Sequence, residues 1–210
     1  MPAKPTERQY RSLAVPLNVR TGGEESKRFD TEYYVEGYAS TFNDQYVLFE
    51  DWDGREYTEI ISPDAFRDAD MSDVIMQFDH AGKVLARMSN NTLIVEPDAH
   101  GLFIAADLSG SQSARDLYEE ISNGLVTRMS WAFTVAADEY DRETRTTTIT
   151  RVKKVYDVSA VSLPADPNTE ISARNLLNGV IEQSRKELAR RKSALAIARA
   201  TLAIAKSRKV

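Results

Sequence analysis

The stretch Val155-Tyr156-Asp157-Val158-Ser159-Ala160-Val161 sets one carboxylate inside a run of apolar and small residues. β-Branched residues such as valine favour strands. A carboxylate in such a strand is costly to bury unless it is paired, so Asp157 is expected to have a partner. The stretch therefore predicts a buried strand at Asp157–Leu163 that carries one polar group with a specific contact.

Further strand-like segments lie on the N-terminal side of this stretch, where apolar residues alternate with polar ones or form short runs. Asp51-Trp52-Asp53-Gly54 contains the Asp-Gly pair of a tight turn and predicts a hairpin between two of these segments. The predicted strands are Ser12–Val19, Thr31–Thr41, Tyr46–Phe49, Glu56–Ile61, Val74–Phe78, Lys83–Met88, Thr92–Glu96, Leu102–Leu108, Val126–Ala136 and Arg145–Val155.

Two segments of the central region show helix signals. Ser62-Pro63-Asp64-Ala65-Phe66 predicts a short helix with Ser62 as its N-cap. Ser111–Asn123 predicts an amphipathic helix, because its apolar residues recur at helical spacing and Gly124 follows as a stop. Many short strands with few helices indicate a mainly β fold with α (α+β), a closed or nearly closed barrel with helices attached.

The composition excludes several classes of protein and site. The chain has 210 residues, of which 42% are hydrophobic and 28% charged, as is typical of a globular protein. The lack of cysteine excludes disulfides, thiolate catalysis and cysteine-ligated zinc. No apolar run approaches the roughly 20 residues that span a bilayer, and residues 1–8 lack the apolar core of a signal peptide. We therefore expect no membrane partner.

The C-terminal residues differ in charge from the rest of the chain. Residues 176–210 carry nine Lys or Arg against two Glu, a net charge of +7, so the other residues carry −12 of the total of −5. Apolar residues recur there at every seventh position: Ile181, Leu188, Leu195 and Leu202. This spacing predicts one long basic helix at Ile181–Ser207, which either meets an acidic partner or lies on the body as a solvated face. The predicted organisation is an extended arm at residues 1–29, a domain at 30–173 and a helical tail at 174–210.

Three polar residues in or beside predicted strands provide a base, a nucleophile and an acid. His80 follows the strand Val74–Phe78, Ser130 lies between Met129 and Trp131, and Asp157 interrupts its apolar run. This is the minimal set for serine-type peptide hydrolysis, in which His80 accepts the Ser130 proton and Asp157 fixes the imidazole tautomer. The chain has only two histidines, so few groups can serve as a base near neutral pH.

Each of these residues also has a plain structural interpretation. A strand serine is commonly a packed core hydroxyl, and a histidine beside glycine is commonly a surface or capping residue. Asp79 is next to His80 in the sequence, so on a strand the two side chains would point to opposite faces. His100 lies in a turn, where we expect it to be exposed. A metal site that uses His80 and His100 is a further alternative, although no ligand spacing such as His-x-x-x-His occurs.

The ordered set of segments resembles the caudoviral prohead protease family, the serine proteases of capsid maturation, whose fold is similar to that of the herpesvirus assemblins. The family pattern has an apolar strand ending in Asn-His, a Gly-Leu strand, a helix ending in Gly before Ser-x-Gly-Phe, and a closing Glu-Val-Ser-x-Val-x-x-Pro-Ala-x-Pro. The resemblance covers Tyr34 to Ala173. The corresponding segments are Phe78-Asp79-His80, Gly101-Leu102, Ile121-Ser122-Asn123-Gly124, Ser130-Trp131-Ala132-Phe133 and Asp157–Pro167.

The resemblance implies an assemblin-like β-barrel core with peripheral helices, and a serine endopeptidase without cofactor or metal. By this resemblance Ser130 is the nucleophile and His80 the base, and Asp157 takes the place of the family's usual Glu. The chain departs from the family pattern at Asp79 for Asn, Ala132 for Gly, and Ala86 where Gly is common.

The resemblance also implies a place of action and partners. Family members work inside the procapsid in the host cytoplasm, cleave the major capsid protein or the scaffold protein, and then cleave themselves. It implies no direct nucleic-acid partner, and activity in the assemblin-like fold can depend on self-association. The basic tail would tether the enzyme to acidic scaffold or to the inner shell. The alternative is a non-catalytic scaffold or capsid-assembly module that uses the same fold and the helical tail.

Overall fold

Ten β-strands, one α-helix and one short 3-10 helix form from residues 8–16 and 27–162, the part of the chain that the computed structural model describes. The strands are β1 (Gln9–Pro16), β2 (Tyr34–Thr41), β3 (Tyr46–Glu50), β4 (Glu56–Ile61), β5 (Ile75–Phe78), β6 (Ala81–Arg87), β7 (Leu93–Pro97), β8 (Gly101–Asp107), β9 (Arg128–Asp141) and β10 (Thr146–Val161). Helix α1 spans Gln112–Ser122, and the 3-10 helix spans Met88–Asn90. The predicted mainly β fold with few helices is thus confirmed for these residues.

The strands are divided between a seven-stranded and a three-stranded sheet. The larger sheet has the order β1-β9-β10-β4-β3, with β5 also paired to β10 and β6 paired to β5. The smaller sheet has the order β2-β8-β7, and its strand β2 contacts β1 and β9 of the larger sheet. Strand β10 is central, because β9 pairs along one of its edges while β4 and β5 pair in parallel along the other.

Strand β10 runs unbroken through the position of Asp157. The two strands predicted at Arg145–Val155 and Asp157–Leu163 are therefore one, which corrects the sequence prediction. The pairing with β9 shifts register between Val155 and Asp157. This shift is a β-bulge, and the strand continues through it. A bulge changes which face the following residues occupy, and so it sets the direction of the Asp157 side chain.

The short helix predicted at Ser62 does not form. Residues 63–68 are successive turns, in which Ala65 N donates to Ser62 O and Ala69 N donates to Phe66 O. The Ala65 carbonyl instead accepts from Val152 N at 2.8 Å, so it is not available to continue a helix. The segment thereby satisfies backbone groups of β10 in the gap between its partners β4 and β5.

Helix α1 follows its sequence signals closely. The Ser111 hydroxyl accepts from Ala114 N at 3.2 Å as the N-cap, as a serine at this position favours. Gly124, just beyond the C-terminus, has φ +71°, a conformation that glycine adopts without strain. The buried residues of the helix are Ala114, Leu117 and Ile121, and the predicted helix at Ser111–Asn123 is confirmed.

An ion pair between Arg11 and Glu59 is buried in the core and joins β1 to β4. Arg11 Nε and Nη2 donate to the two carboxylate oxygens at 2.5 and 2.8 Å, and the Tyr46 hydroxyl donates to the same carboxylate. Strands β9 and β10 lie between β1 and β4 in the sheet order, a separation of about 14 Å on a flat sheet. A direct contact across them indicates that the larger sheet is strongly curled.

The surroundings of this pair shift the pKa of Arg11 and that of Tyr46. Burial acts to lower the pKa of Arg11, but the contacts with Glu59 and Tyr46 outweigh it and raise that pKa above its ordinary value. Burial and the Glu59 carboxylate raise the pKa of the Tyr46 hydroxyl well above 10, so it remains a donor.

Some predictions fall partly or wholly outside the described residues. The strand predicted at Ser12–Val19 is observed at Gln9–Pro16, where it pairs with β9. Residues 1–7 and 17–26 of the N-terminal arm, the last residues 163–173 of the predicted domain, and the helical tail at 174–210 lie outside the residues that the structure describes.

Candidate active site

His80 lies in the two-residue turn of the hairpin formed by β5 and β6. Phe78 pairs with Ala81, and the two residues between them, Asp79 and His80, have φ of +47° and +55°. Positive φ at both central residues is what a type I′ hairpin turn requires. Asp, Asn and His are enriched among non-glycine residues in this region, so the residue types suit the turn. The hairpin therefore presents the imidazole at the end of β5.

Asp79 fastens this turn to the end of β10. Its backbone N–H donates to Ala160 O at 3.0 Å. Its carboxylate accepts from the Ser162 backbone N–H at 3.1 Å and from the Ser162 hydroxyl at 3.0 Å. Because β10 also carries Asp157, the same strand holds both the turn and the carboxylate, and the separation between them is tightly set. The Asp79 carboxylate thus provides both acceptors that this contact needs.

Ser130 is the third residue of β9 and is 1% exposed. Its Oγ lies 2.6 Å from His80 Nε2. The same Oγ lies 2.9 Å from the main-chain oxygen of Arg11 on β1, which can accept the hydroxyl proton. The hydroxyl has one proton, so the imidazole nitrogen and this backbone oxygen are alternative acceptors for it.

Asp157 is 2% exposed and receives two hydrogen bonds on one oxygen. Its Oδ1 lies 2.5 Å from His80 Nδ1 and accepts from the Ser159 hydroxyl at 2.9 Å. A buried carboxylate is costly unless donors of this kind pair with it. The partner expected for Asp157 from the sequence is thus present.

Together His80, Ser130 and Asp157 form a chain of two hydrogen bonds. With the carboxylate as acceptor, Nδ1 carries the imidazole proton and Nε2 is free to accept from the Ser130 hydroxyl. The imidazole can then remove the hydroxyl proton while the carboxylate stabilises the resulting charge. The arrangement is chemically capable of activating Ser130 as a nucleophile.

Residues of β1 also contact this site, and the sequence did not predict them. The Tyr10 ring lies edge-on to the His80 ring, with centroids 4.8 Å apart. Tyr10 and Arg11 reach the site because β1 pairs with β9 so that Ser12 is opposite Ser130. No local pattern in β1 indicates that register. The contact between Ser159 and Asp157 could have been predicted from the sequence, because residues two apart on a strand share a face.

Ala132 and Ala86, where the resemblance led us to expect glycine, fit without backbone strain. Neither Ala132 nor Ala86 is among the residues with positive φ, and both are buried in strands. Ala132 pairs with Asp157, so its methyl group lies on the same face of the sheet as the carboxylate. Neither alanine therefore requires a backbone conformation that only glycine adopts easily.

The second histidine is placed elsewhere. His100 is exposed in the turn before β8, and its ring lies edge-on to Tyr38 at a centroid distance of 4.5 Å. Among the described residues, no group of three or more His, Asp or Glu is arranged to hold a metal ion. No helix within residues 8–16 and 27–162 is long and apolar enough to cross a membrane.

A surface pocket of about 280 Å³ adjoins the His80 turn. It lies between β6 and α1, with an apolar floor that includes Leu85 and Leu117 and a charged rim that includes Lys83, Asp116 and Glu120.

Comparison with known proteins gives one family and one named relative. A sequence profile of the family described as caudovirus prohead serine protease matches residues 21–182. The chain is 30% identical over 149 residues to the prohead protease of Enterobacteria phage HK97, a match that covers 69% of this chain and 61% of that relative. The chain thus matches about three fifths of the relative's length. No solved structure matches the chain.

Proposed function

Because the chain belongs to the caudovirus prohead serine protease family, we propose that it is a serine endopeptidase that acts in the maturation of a phage prohead. One observation carries the proposal, namely the continuous hydrogen-bonded chain from Ser130 through His80 to Asp157. Family membership supports peptidase chemistry, and the geometry supports a serine mechanism for it. The proposal assigns a role to each of these three residues.

In the first half of the reaction, Ser130 Oγ attacks the scissile carbonyl carbon of the substrate. His80 Nε2 takes the hydroxyl proton as the new C–O bond forms, and Asp157 stabilises the imidazolium. The imidazolium then gives this proton to the amine as the C–N bond breaks. The products of this step are a free amine and an ester on Ser130.

In the second half, water hydrolyses the ester. His80 removes a proton from the water, the hydroxide adds to the acyl carbon, and the proton returns to Ser130 Oγ as the C–O bond breaks. The released product is a carboxylic acid, and the enzyme is restored. Asp157 keeps the same imidazole tautomer in both halves, so one histidine serves as base and then as acid in each.

The proposed substrates are the major capsid protein, the scaffold protein and the chain itself, acted on inside the procapsid in the host cytoplasm. The family description and the name of the HK97 relative support this role. An assemblin-like barrel is also part of the proposal. Its support is the curl of the larger sheet, which the contact between Arg11 and Glu59 requires.

The test is to co-express the full chain with the capsid and scaffold proteins of the same phage and to follow all three by intact mass. We expect the wild type to shorten at least one of them, and Ser130→Ala to leave all at full length. Ser40→Ala is the matched control, since Ser40 is a fully buried serine of β2 whose hydroxyl, among the described residues, donates to the main-chain oxygen of Thr41 at 3.5 Å.

Two results contradict the proposal. Full-length proteins with the wild type, in particles that still assemble, indicate a non-catalytic assembly module. Cleavage that persists in Ser130→Ala but stops when a chelator is added indicates a metal-dependent hydrolase.

A further inference from the structure

A second hydroxyl group contacts the carboxylate of the candidate site. Ser159 is fully buried, and its Oγ donates to Asp157 Oδ1 at 2.9 Å. The same oxygen accepts from His80 Nδ1 at 2.5 Å. The described hydrogen bonds of the Asp157 side chain thus meet at one oxygen, and Ser159 provides one of the two.

The strand pairing fixes Ser159 in this place. Asp157 and Ser159 are two apart on β10 and so share a face of the sheet. In the register with β9, Ser159 pairs with Ser130 and Asp157 pairs with Ala132, which places both side chains on the face that carries the Ser130 hydroxyl. On its other edge Ser159 pairs with Gln77 of β5, the strand that leads to the His80 turn. Three strands therefore hold the Ser159 backbone in position.

We propose that Ser159 is a positioning residue that holds the Asp157 carboxylate in the orientation in which it accepts the hydrogen bond from His80 Nδ1. This inference rests on the proposed function. An aspartate side chain has two rotatable bonds, and a hydrogen bond from the imidazole alone leaves rotation about the second of them free to follow the ring. A second donor from the fixed backbone of β10 removes that freedom. Ser159 acts on the reaction only through Asp157 and His80.

If this is so, removing the Ser159 hydroxyl should slow the reaction at Ser130 and leave the binding of the reagent unchanged. Ser159→Ala removes one donor from the carboxylate while every described contact of Ser130 and His80 remains. The limiting rate at which a fluorophosphonate phosphonylates Ser130 should fall on the order of tenfold, the size expected for one lost hydrogen bond to a charged group. Half-saturating reagent concentration should be unchanged, since Ser159 is buried away from solvent. Ser159→Thr keeps the hydroxyl and should restore most of the rate.

The experiment measures inactivation of the full chain by an alkyl fluorophosphonate, with the limiting rate and the half-saturating concentration determined for each variant. Ser40→Ala serves as the matched removal of a fully buried serine hydroxyl. Proton NMR of each variant gives a second readout, the low-field signal of the Nδ1 proton shared with Asp157. We expect this signal to move in Ser159→Ala and to stay in Ser159→Thr. Ser159→Cys, with a weaker donor of similar size, should have an intermediate rate and keeps the test available if the alanine variant does not fold.

The outcomes separate this inference from the proposed function. If wild-type Ser130 is modified and Ser159→Ala reacts at the wild-type rate with an unmoved NMR signal, the inference is overturned and the proposed function stands. Equal slowing in the alanine, cysteine and threonine variants also overturns it, because the hydroxyl is then not what matters. If wild-type Ser130 is not modified at all, the proposed function fails and the inference fails with it.

Discussion

His80 Nδ1 lies 2.5 Å from Asp157 Oδ1, although 77 residues separate the two in the chain. The contact exists because β5 pairs in parallel with β10 and places Asp157 opposite Ile75, three residues before the end of β5. The turn that follows β5 then returns the imidazole towards the carboxylate. Sheet pairing, rather than proximity in sequence, brings the acid to the base.

Replacing Asp157 by asparagine should disable the site without removing the side chain. An amide can donate as well as accept, so it no longer selects the tautomer with the proton on Nδ1, and it does not stabilise the imidazolium. We expect a fall in rate of about 10³- to 10⁴-fold. Capsid-protein cleavage or fluorophosphonate inactivation measures it, with the exposed Asp64→Asn as the control. A rate within a few-fold of wild type would remove Asp157 from the proposed mechanism.

The turn that carries His80 should depend on the residue type at position 79. Asparagine tolerates positive φ and keeps one acceptor oxygen, so Asp79→Asn should retain most of the activity. Asp79→Val places a β-branched side chain in the same conformation and removes the acceptor used by Ser162. That strain costs about 1–3 kcal/mol, so the variant should lose activity and stability together. Equal behaviour of the two variants would contradict this account of the turn.

The buried ion pair should be more costly to break than to replace. Glu59→Gln leaves the Arg11 cation buried without its counterion, and we expect the free energy of unfolding to fall by about 3–5 kcal/mol. The double variant Arg11→Met with Glu59→Gln leaves no unpaired charge and keeps an acceptor for Tyr46, so it should recover much of the loss. Urea unfolding of the two variants measures the difference. A double variant less stable than Glu59→Gln would contradict the assignment.

Acid should remove the contribution that the surface ion pair between Asp73 and Arg87 makes to the stability of the fold. Hydrogen bonds from Arg87 lower the pKa of Asp73 from 3.8 to about 2. A carboxyl group whose pKa is lowered by folding stabilises the fold above its unfolded pKa, and this contribution is lost as the pH falls through the folded value. The wild type should therefore be more stable than Asp73→Asn at neutral pH, with the difference shrinking between pH 4 and pH 2. Urea unfolding at a series of pH values measures this, and a constant difference would contradict it.

Much of the fold followed from local patterns in the sequence. The hairpin around Asp51-Trp52-Asp53-Gly54, helix α1 and the strand before His80 all depend on turn residues, caps and periodicity, which act over a few residues. The helix predicted at Ser62 failed for the opposite reason. Its Ala65 carbonyl is taken by Val152, 87 residues away, and no local signal gives that contact.

The candidate site was predictable in its residue types but not in its surroundings. A buried carboxylate in an apolar strand requires a partner, so the sequence around Asp157 predicts a specific contact there. The contacts of Tyr10 with His80 and of Arg11 with Ser130 and Glu59 depend on the register between β1 and β9 and on the curl of the sheet. Those features arise from the packing of the whole sheet, so one-dimensional patterns do not contain them.

The central claim is that His80 and Asp157 activate Ser130 as the nucleophile. The most direct measurement is to treat the folded full chain with an alkyl fluorophosphonate and to locate the modified residue by peptide mass spectrometry. The account predicts a single adduct on Ser130, absent after unfolding in urea and strongly reduced in His80→Ala. A chain that stays unmodified, or an adduct on another serine that persists in Ser130→Ala, would contradict it.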